Sequence, residues 1–127
     1  MKIIIAGSRC ITDRLPVLIA FRRYRRKRSA ITAIISGTAK GPDRHGEWIA
    51  ERDGIEVIRM PADWNGPHGK RAGFVRNQDM ANIADGAVIV WDGVSSGTRS
   101  MIAICRRMRL DYEVYDLRGM RRIDWEA

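Results

Sequence analysis

Residues 87–98, AVIVWDGVSSGT, join an apolar run to a turn rich in glycine and hydroxyl groups, which precedes a helical pattern. Three other turns stand between an apolar run and a helical pattern, at residues 7–9 (GSR), 36–43 (SGTAKGPD) and 64–73 (WNGPHGKRAG). The connections from helix back to strand hold far fewer glycines and hydroxyls. In a parallel α/β sheet every strand-to-helix turn lies at the carboxyl edge, where ligands of open sheets bind. The sequence therefore predicts a site for a phosphate-bearing ligand at that edge.

The alternation of apolar and helical stretches predicts five strands and four helices in one domain, residues 1–127. We expect Thr12 to cap the first helix, and we expect the third strand to lie nearer an edge because it alternates apolar and charged residues. Strict alternation of strand and helix is typical of a parallel, doubly wound sheet. The tail, residues 118–127, has no clear assignment. The predicted strands are 2–6, 30–36, 55–60, 87–91 and 112–117, and the predicted helices begin near Thr12, at Pro42, at Lys70 and at Thr98.

Composition excludes several classes of protein. No apolar run approaches the roughly 20 residues of a membrane span, and the apolar N-terminal run is too short for a signal-peptide core, so we expect a cytoplasmic protein with no membrane partner. Cys10 and Cys105 form no CxxC pair, and no histidine stands at ligand spacing from them. We therefore predict neither a metal site nor a cofactor.

The net charge of +8 is concentrated in three segments, 22–28, 106–109 and 118–122. Such clusters are consistent with a polyanionic partner such as nucleic acid. The alternative interpretation is that the first two clusters only close helices, where cations interact favourably with the negative end of the helix dipole.

Two common nucleotide signatures are missing. The segment from Gly37 to Pro42 lacks the Gly-Lys-Ser/Thr ending of a Walker loop. The first strand is followed by GSRCIT at residues 7–12, in place of the GxGxxG fingerprint, and no acidic residue ends the second strand to hold a ribose. These departures disfavour an ordinary NTPase and an ordinary NAD dehydrogenase.

A different phosphate cradle is predicted ahead of the fourth helix. Gly93 and Gly97 let the backbone approach a ligand, and the helix N-terminus attracts anions. Arg9 follows the first strand at the same edge and could supply a charged fork to the same phosphate. Hydroxyl donors are added by Ser95, Ser96 and Thr98.

A set of motifs occurs in a fixed order along the chain. They are GSR at 7–9, SGxxxGPD at 36–43, PADW at 61–64, GKxAGxxRNxxM at 69–80, AD at 84–85 and WDGxSxGT at 91–98. Over about residues 3–117 this order resembles the YspA-like branch of the SLOG superfamily. Many members of this branch are small bacterial or phage proteins.

The resemblance implies a Rossmann-like fold, an α/β three-layer sandwich with a mostly parallel five-stranded sheet. It also implies a nucleotide or ADP-ribose-like ligand, and a homodimer, since related proteins share pockets between subunits. Relatives include the LOG phosphoribohydrolases and the DNA-processing protein DprA. The LOG enzymes carry a catalytic glutamate on the helix after their Gly-Thr turn, whereas this chain continues RSMI at residues 99–102, with no acid.

The candidate residues follow from these turns. Three carboxylates, Asp43, Glu47 and Asp92, are the candidates for catalysis, because cleavage of an N-glycosidic bond would use acids to orient water and to stabilise positive charge on the ribose. The same acids also suit helix N-termini and turns. Three functions therefore stay open: nucleotide binding, N-glycoside hydrolysis of nucleoside monophosphates, and DprA-like nucleic-acid binding. The predicted ligand-binding residues are Gly7, Ser8, Arg9, Gly37, Gly41, Asp43, Trp64, Arg76, Asn77, Gly93, Ser95, Ser96, Gly97 and Thr98.

Overall fold

A computed structural model describes residues 1–123, in which four α-helices cover a six-stranded sheet. The strands are β1 (Lys2–Gly7), β2 (Ala33–Ser36), β3 (Glu56–Arg59), β4 (Gly86–Val90), β5 (Asp111–Tyr115) and β6 (Arg122–Ile123). The helices are α1 (Leu15–Arg25), α2 (Pro42–Asp53), α3 (Ala72–Ile83) and α4 (Ser96–Arg107), and a 3₁₀ turn (Gly69–Arg71) precedes α3.

The strand order is β3-β2-β1-β4-β5-β6. The first five strands are parallel, and β3 lies at an edge as its mixed pattern predicts. The prediction of a Rossmann-like α/β sandwich is confirmed, but the predicted count of five strands is one short. β6 pairs antiparallel with β5 and has only two residues, too few to produce a readable period. Residues 124–127 of the predicted tail lie outside the described residues.

The sheet lies between two hydrophobic layers, so its strands are buried on both faces. In β1, Ile3 and Ile5 face α1 and α2, whereas Ile4 and Ala6 face α3 and α4. The helices that follow β1 and β2 cover one face, and those that follow β3 and β4 cover the other. The chain therefore switches faces between the adjacent strands β1 and β4, which is where a crevice opens at the carboxyl edge of a doubly wound sheet.

Helix starts differ from the sequence-based prediction in three places. Thr12 does not cap α1, since the helix begins at Leu15 and the Asp13 carboxylate accepts the Leu15 amide at 3.0 Å. The predicted start of the third helix at Lys70 is a 3₁₀ turn, so α3 begins at Ala72. α4 begins two residues before Thr98, which brings Ser96 and Gly97 into its first turn.

Candidate ligand-binding site

A cavity of about 510 Å³ lies at the carboxyl edge, beside the turns that follow β1 and β4. Its volume falls within the roughly 300–1,000 Å³ of small-molecule sites. The residues that line it are Ala6, Gly7, Arg9, Cys10, Ala39, Asp43, Trp64, Lys70, Gly73, Phe74, Arg76, Asn77, Met80, Asp92, Ser95, Ser96, Gly97, Thr98 and Met101.

Asp92 shapes the turn between β4 and α4. Its Oδ1 accepts the backbone amides of Val94 and Ser95, both at 2.8 Å, and its Oδ2 accepts the Ser95 hydroxyl at 2.9 Å. These hydrogen bonds, led by the Ser95 amide, lower the pKa of Asp92 to about 2. Asp92 is therefore ionised at neutral pH, and it holds the turn in the shape that presents the start of α4.

The N-terminus of α4 faces the cavity. The first amides of a helix have no intrahelical acceptor, and here they belong to Ser96, Gly97 and Thr98. A Cβ on Gly97 would meet no atom within 4 Å, so the backbone at this point is open to a ligand. The arrangement suits an anion, because unpaired amides and the positive end of the helix dipole coincide.

Two guanidinium groups add positive charge to the cavity. Arg76 donates one hydrogen bond to the Gly37 carbonyl and another, at 3.1 Å, to Oδ1 of Asn77. Burial lowers the pKa of Arg76, Asp43 raises it, and the nearby charge of Arg9 lowers it further. Within residues 1–123, the exposed Arg9 side chain forms no hydrogen bond or ion pair, so its charge is available to a ligand.

Asp43 is a buried carboxyl group in the cavity wall, only 5% exposed. Burial raises its pKa to about 6, against the lowering effects of the Arg76 charge and of hydrogen bonds from the Ala39 and Gly37 amides. A Cβ on Gly37 would lie 2.7 Å from both the Arg76 guanidinium and the Asp43 carboxylate, so a larger residue here would displace one of these two side chains. Asp43 thus has the protonation behaviour of a general acid or base near neutral pH.

Glu47 lies one helical turn beyond Asp43 but does not line the cavity. Its Oε2 accepts the Ser36 hydroxyl at 2.6 Å, and its Oε1 accepts Nε of Arg59 at 2.8 Å. Both partners end strands, β2 and β3 respectively. Glu47 therefore ties α2 to the sheet, and of the three candidate acids only Asp43 and Asp92 reach the cavity.

Four of the predicted ligand-binding residues also lie outside the cavity lining, and each has a structural task. Ser8 is buried, donates its amide to the Val90 carbonyl and accepts the Asp92 amide, both at 3.0 Å. Gly41 packs on the Ser8 carbonyl, 3.0 Å from where a Cβ would stand. Gly37 separates two charged groups, and Gly93 has a φ of 83°, which favours glycine.

An aromatic wall stands on the side of α3. Trp64 is 52% exposed and Phe74 is 47% exposed, and both line the cavity. A Cβ on Gly73 would lie 3.1 Å from the Trp64 ring, so the indole rests on the first turn of α3. Exposed rings at a cavity provide flat apolar surfaces on which a base can stack.

The sequence-based prediction missed several lining residues. Lys70, Phe74 and Asn77 follow the helical spacing i, i+4, i+7, so the position of Asn77 could have indicated the other two. The remaining residues, two of them also at helical spacing from Asn77, are small or apolar side chains that give no chemical signal of a ligand. They are Ala6, Cys10, Ala39, Gly73, Met80 and Met101.

No group of three histidine, cysteine or acidic side chains capable of holding a metal ion occurs in residues 1–123. His45 contacts the Ile11 carbonyl through Nε2 at 3.1 Å, which agrees with a structural role. None of the helices in the same range has the length and apolar character needed to cross a membrane.

One family model matches the chain, over residues 1–66, and it is described as YAcAr: YspA, cpYpsA-related SLOG family. The match covers the turns after β1 and β2 and ends in the Trp64 loop, whereas the glycine-rich turn before α4 lies beyond it. No curated protein and no solved structure matches the chain. Since the family model spans just over half of the 127 residues and the fold is Rossmann-like, the chain belongs to the YspA, cpYpsA-related SLOG family.

Proposed function

We propose that this protein binds a nucleotide or a nucleotide-derived molecule, such as an ADP-ribose-like ligand, in the carboxyl-edge cavity. Membership in a SLOG family suggests a nucleotide-type ligand. The observation that carries the proposal is the division of one cavity into a cationic side and an aromatic side. The α4 N-terminus and Arg9 suit a phosphate, and Trp64 and Phe74 suit a base.

In this proposal the phosphate meets residues 93–98 and Arg9, while the base or ribose meets the turn at residues 37–43 and the Trp64 region. Arg76 braces the Gly37 carbonyl and adds charge to the phosphate side. Charge-assisted hydrogen bonds from a guanidinium are among the stronger contacts that a phosphate can make. The free Arg9 side chain is therefore the residue whose loss we expect to weaken binding most selectively.

A thermal-shift panel tests the proposal. AMP, ADP-ribose and related nucleotides are expected to raise the melting temperature, because a ligand that binds only the folded state stabilises it by mass action. Gly97→Val should remove this shift while leaving the ligand-free melting temperature close to that of the wild type, since a side chain at residue 97 meets open space. A melting curve that no nucleotide in a broad panel moves would contradict the proposal.

Hydrolysis of an N-glycosidic bond is a second candidate, favoured by one observation. Asp43 lies in the cavity with a pKa of about 6, which suits proton transfer to or from a reacting group. Against it, residues 99–102 offer no acid on the helix after the Gly-Thr turn. We therefore expect slow or absent release of free base from nucleoside monophosphates.

Chromatography of long incubations decides between binding and turnover. Rapid base release that is lost in Asp43→Asn would establish the hydrolase. Glu47→Gln is the matched control, because it removes a carboxylate from the same helix outside the cavity lining. Loss of turnover in Glu47→Gln as well would indicate either a catalytic role for Glu47 or a disturbed α2, and the melting temperature of the variant separates the two.

We also propose a homodimer, on the basis of the resemblance to proteins that share pockets between subunits. Light scattering during size-exclusion chromatography measures the mass directly. A monomer at all concentrations tested would remove the dimer from the proposal without affecting the nucleotide site. A DprA-like alternative, in which a polynucleotide occupies the glycine-lined edge, predicts that Gly97→Val abolishes nucleic-acid binding.

A further inference from the structure

The edge of the sheet opposite the cavity carries a cluster of unpaired cations. Arg28 fixes its position, since it forms a bidentate pair with Asp111 at the start of β5, with hydrogen bonds of 2.7 and 2.8 Å. The end of α1 is thereby held at the amino edge of the sheet, and α4 ends beside the same strand. We define the amino-edge basic surface as Arg22, Arg23, Arg26, Lys27, Arg106 and Arg109, all exposed.

None of these six side chains forms a hydrogen bond or an ion pair with another residue in the part of the chain that the structure describes. Three acids at this edge have arginine partners outside the surface, whereas Glu56 at the start of β3 and Asp85 before β4 pair with no arginine in residues 1–123. Asp53 pairs with Arg25 and Arg52, and Asp111 and Glu113 pair with Arg28. No acid in residues 1–123 lies within ion-pair distance of these six side chains, although the charge of Arg22 acts on Asp53 at longer range, so the surface keeps a net positive charge.

We propose that the amino-edge basic surface binds the phosphate backbone of double-stranded nucleic acid, independently of sequence. Phosphate neutralisation by lysine and arginine with release of counterions is the main source of such affinity. Four of the six cations lie within residues 22–27, on the last turn of α1 and the residues just after it, so one short segment can reach several successive phosphates.

Among residues 1–123, the amino-edge basic surface has no exposed aromatic side chain, which favours a duplex over a single strand. Single-stranded nucleic acids are held by aromatic side chains on which bases stack. Among residues 1–123, the exposed aromatic side chains are Trp48, Trp64 and Phe74, and none belongs to segments 22–28 or 106–109. No exposed large apolar side chain in the described chain belongs to these segments either, so the surface offers nothing for insertion into a lipid bilayer.

The salt dependence of binding measures the number of phosphate contacts. If the four cations within residues 22–27 contact phosphates, the association constant for a DNA duplex falls about 150-fold between about 50 and 200 mM salt. The variant Arg22→Gln/Arg26→Gln/Lys27→Gln would retain about one of these contacts, so its weaker binding should change only about 4-fold over the same range. Arg25 is left unchanged because it pairs with Asp53 and stacks on Phe21.

The test is fluorescence anisotropy with a short blunt-ended DNA duplex of mixed sequence, for the full chain and its variants. The matched control is Arg71→Gln/Arg118→Gln/Arg121→Gln, which removes the same charge from exposed residues in the connections that follow the carboxyl ends of β3 and β5. The control should keep most of the affinity and the steep salt dependence, and Gly97→Val should bind the duplex like the wild type. Circular dichroism checks that each variant is folded.

Several outcomes would overturn the inference. Equal losses in the two triple variants would mean that only net charge matters. If the protein bound a single strand of the same length, or vesicles of anionic lipid, more tightly than it bound the duplex, the partner would be a different one. If Gly97→Val abolished duplex binding and the α1 variant did not, the polynucleotide would occupy the cavity edge. The nucleotide-induced change in melting temperature would still test the proposed function independently of that result.

Discussion

Replacing Asp43 with asparagine should make this protein more stable at neutral pH. Burial raises the pKa of Asp43 from its ordinary 3.8 to about 6, so the folded state favours the neutral carboxyl group. Below about pH 3 the group is mostly protonated in both states and costs almost nothing. As the pH rises from about 4 to about 6 the unfolded chain ionises first, so the free energy of unfolding falls, and above this range the cost is constant.

The magnitude follows from the difference between the two pKa values. At 1.36 kcal/mol per pH unit, a difference of about two units corresponds to about 3 kcal/mol above pH 7. An asparagine has nearly the same shape, keeps an oxygen for the Ala39 amide, and cannot ionise. At pH 7.5 the free energy of unfolding of Asp43→Asn is therefore expected to be about 3 kcal/mol higher than that of the wild type. For a chain of this size this corresponds to a melting temperature about 10 °C higher.

Urea unfolding at a series of pH values between 4 and 8 is the appropriate assay. The two curves should nearly coincide at pH 4 and separate progressively up to about pH 7. Glu47→Gln is the control in the same helix, and it should be slightly destabilised, because the Ser36 and Arg59 hydrogen bonds to its carboxylate are weakened. Parallel curves for Asp43→Asn and the wild type at all pH values would refute the argument that burial dominates at Asp43.

Two further substitutions test other parts of the structure. Trp64→Ala should weaken nucleotide binding about 10- to 100-fold, which is the effect of losing one base-stacking ring. Trp48→Ala is the control and should leave binding unchanged, since Trp48 lies outside the cavity and is covered by Arg14. Titration calorimetry measures both affinities. Arg28→Gln should lower the free energy of unfolding by about 3 kcal/mol, because it leaves the largely buried Glu113 without its cation. An unchanged urea midpoint would show that this ion pair contributes little to stability.

The strands and the edge that carries the site could be predicted because they depend on local pattern. β1 and β4 are apolar on both faces, and glycine ends β1 at Gly7 and stands in the turn after β4 at Gly93, so the order of elements and the carboxyl edge are readable from sequence. β6 escaped prediction because its two residues are defined by pairing with β5, which is a tertiary contact.

The roles of individual site residues were harder to predict because hydrogen-bond geometry decides them. Asp43 and Glu47 are indistinguishable in sequence, and only packing shows that the first lines the cavity while the second joins Ser36 and Arg59. Ser8 likewise stands in a phosphate-binding type of turn, yet its hydroxyl accepts the Asp92 amide and holds two turns together. Sequence indicated the edge at which the cavity lies, and side-chain contacts show which of the candidate residues line it.

The two sides of the cavity differ in how they are attached, and this has a kinetic consequence. The turns after β1 and β4 are joined through Ser8, which donates its amide to Val90 and accepts the Asp92 amide. Within the described chain, the hydrogen bonds from residues 61–68 to another element are two local turn contacts into the 3₁₀ turn, in which Gly66 and His68 accept backbone amides. The Trp64 ring is held by packing on Gly73. We therefore expect ligands to enter and leave past Trp64. Mutations in residues 61–68 should alter the dwell time of a bound ligand, whereas mutations at Ser8 should alter how well the phosphate fits.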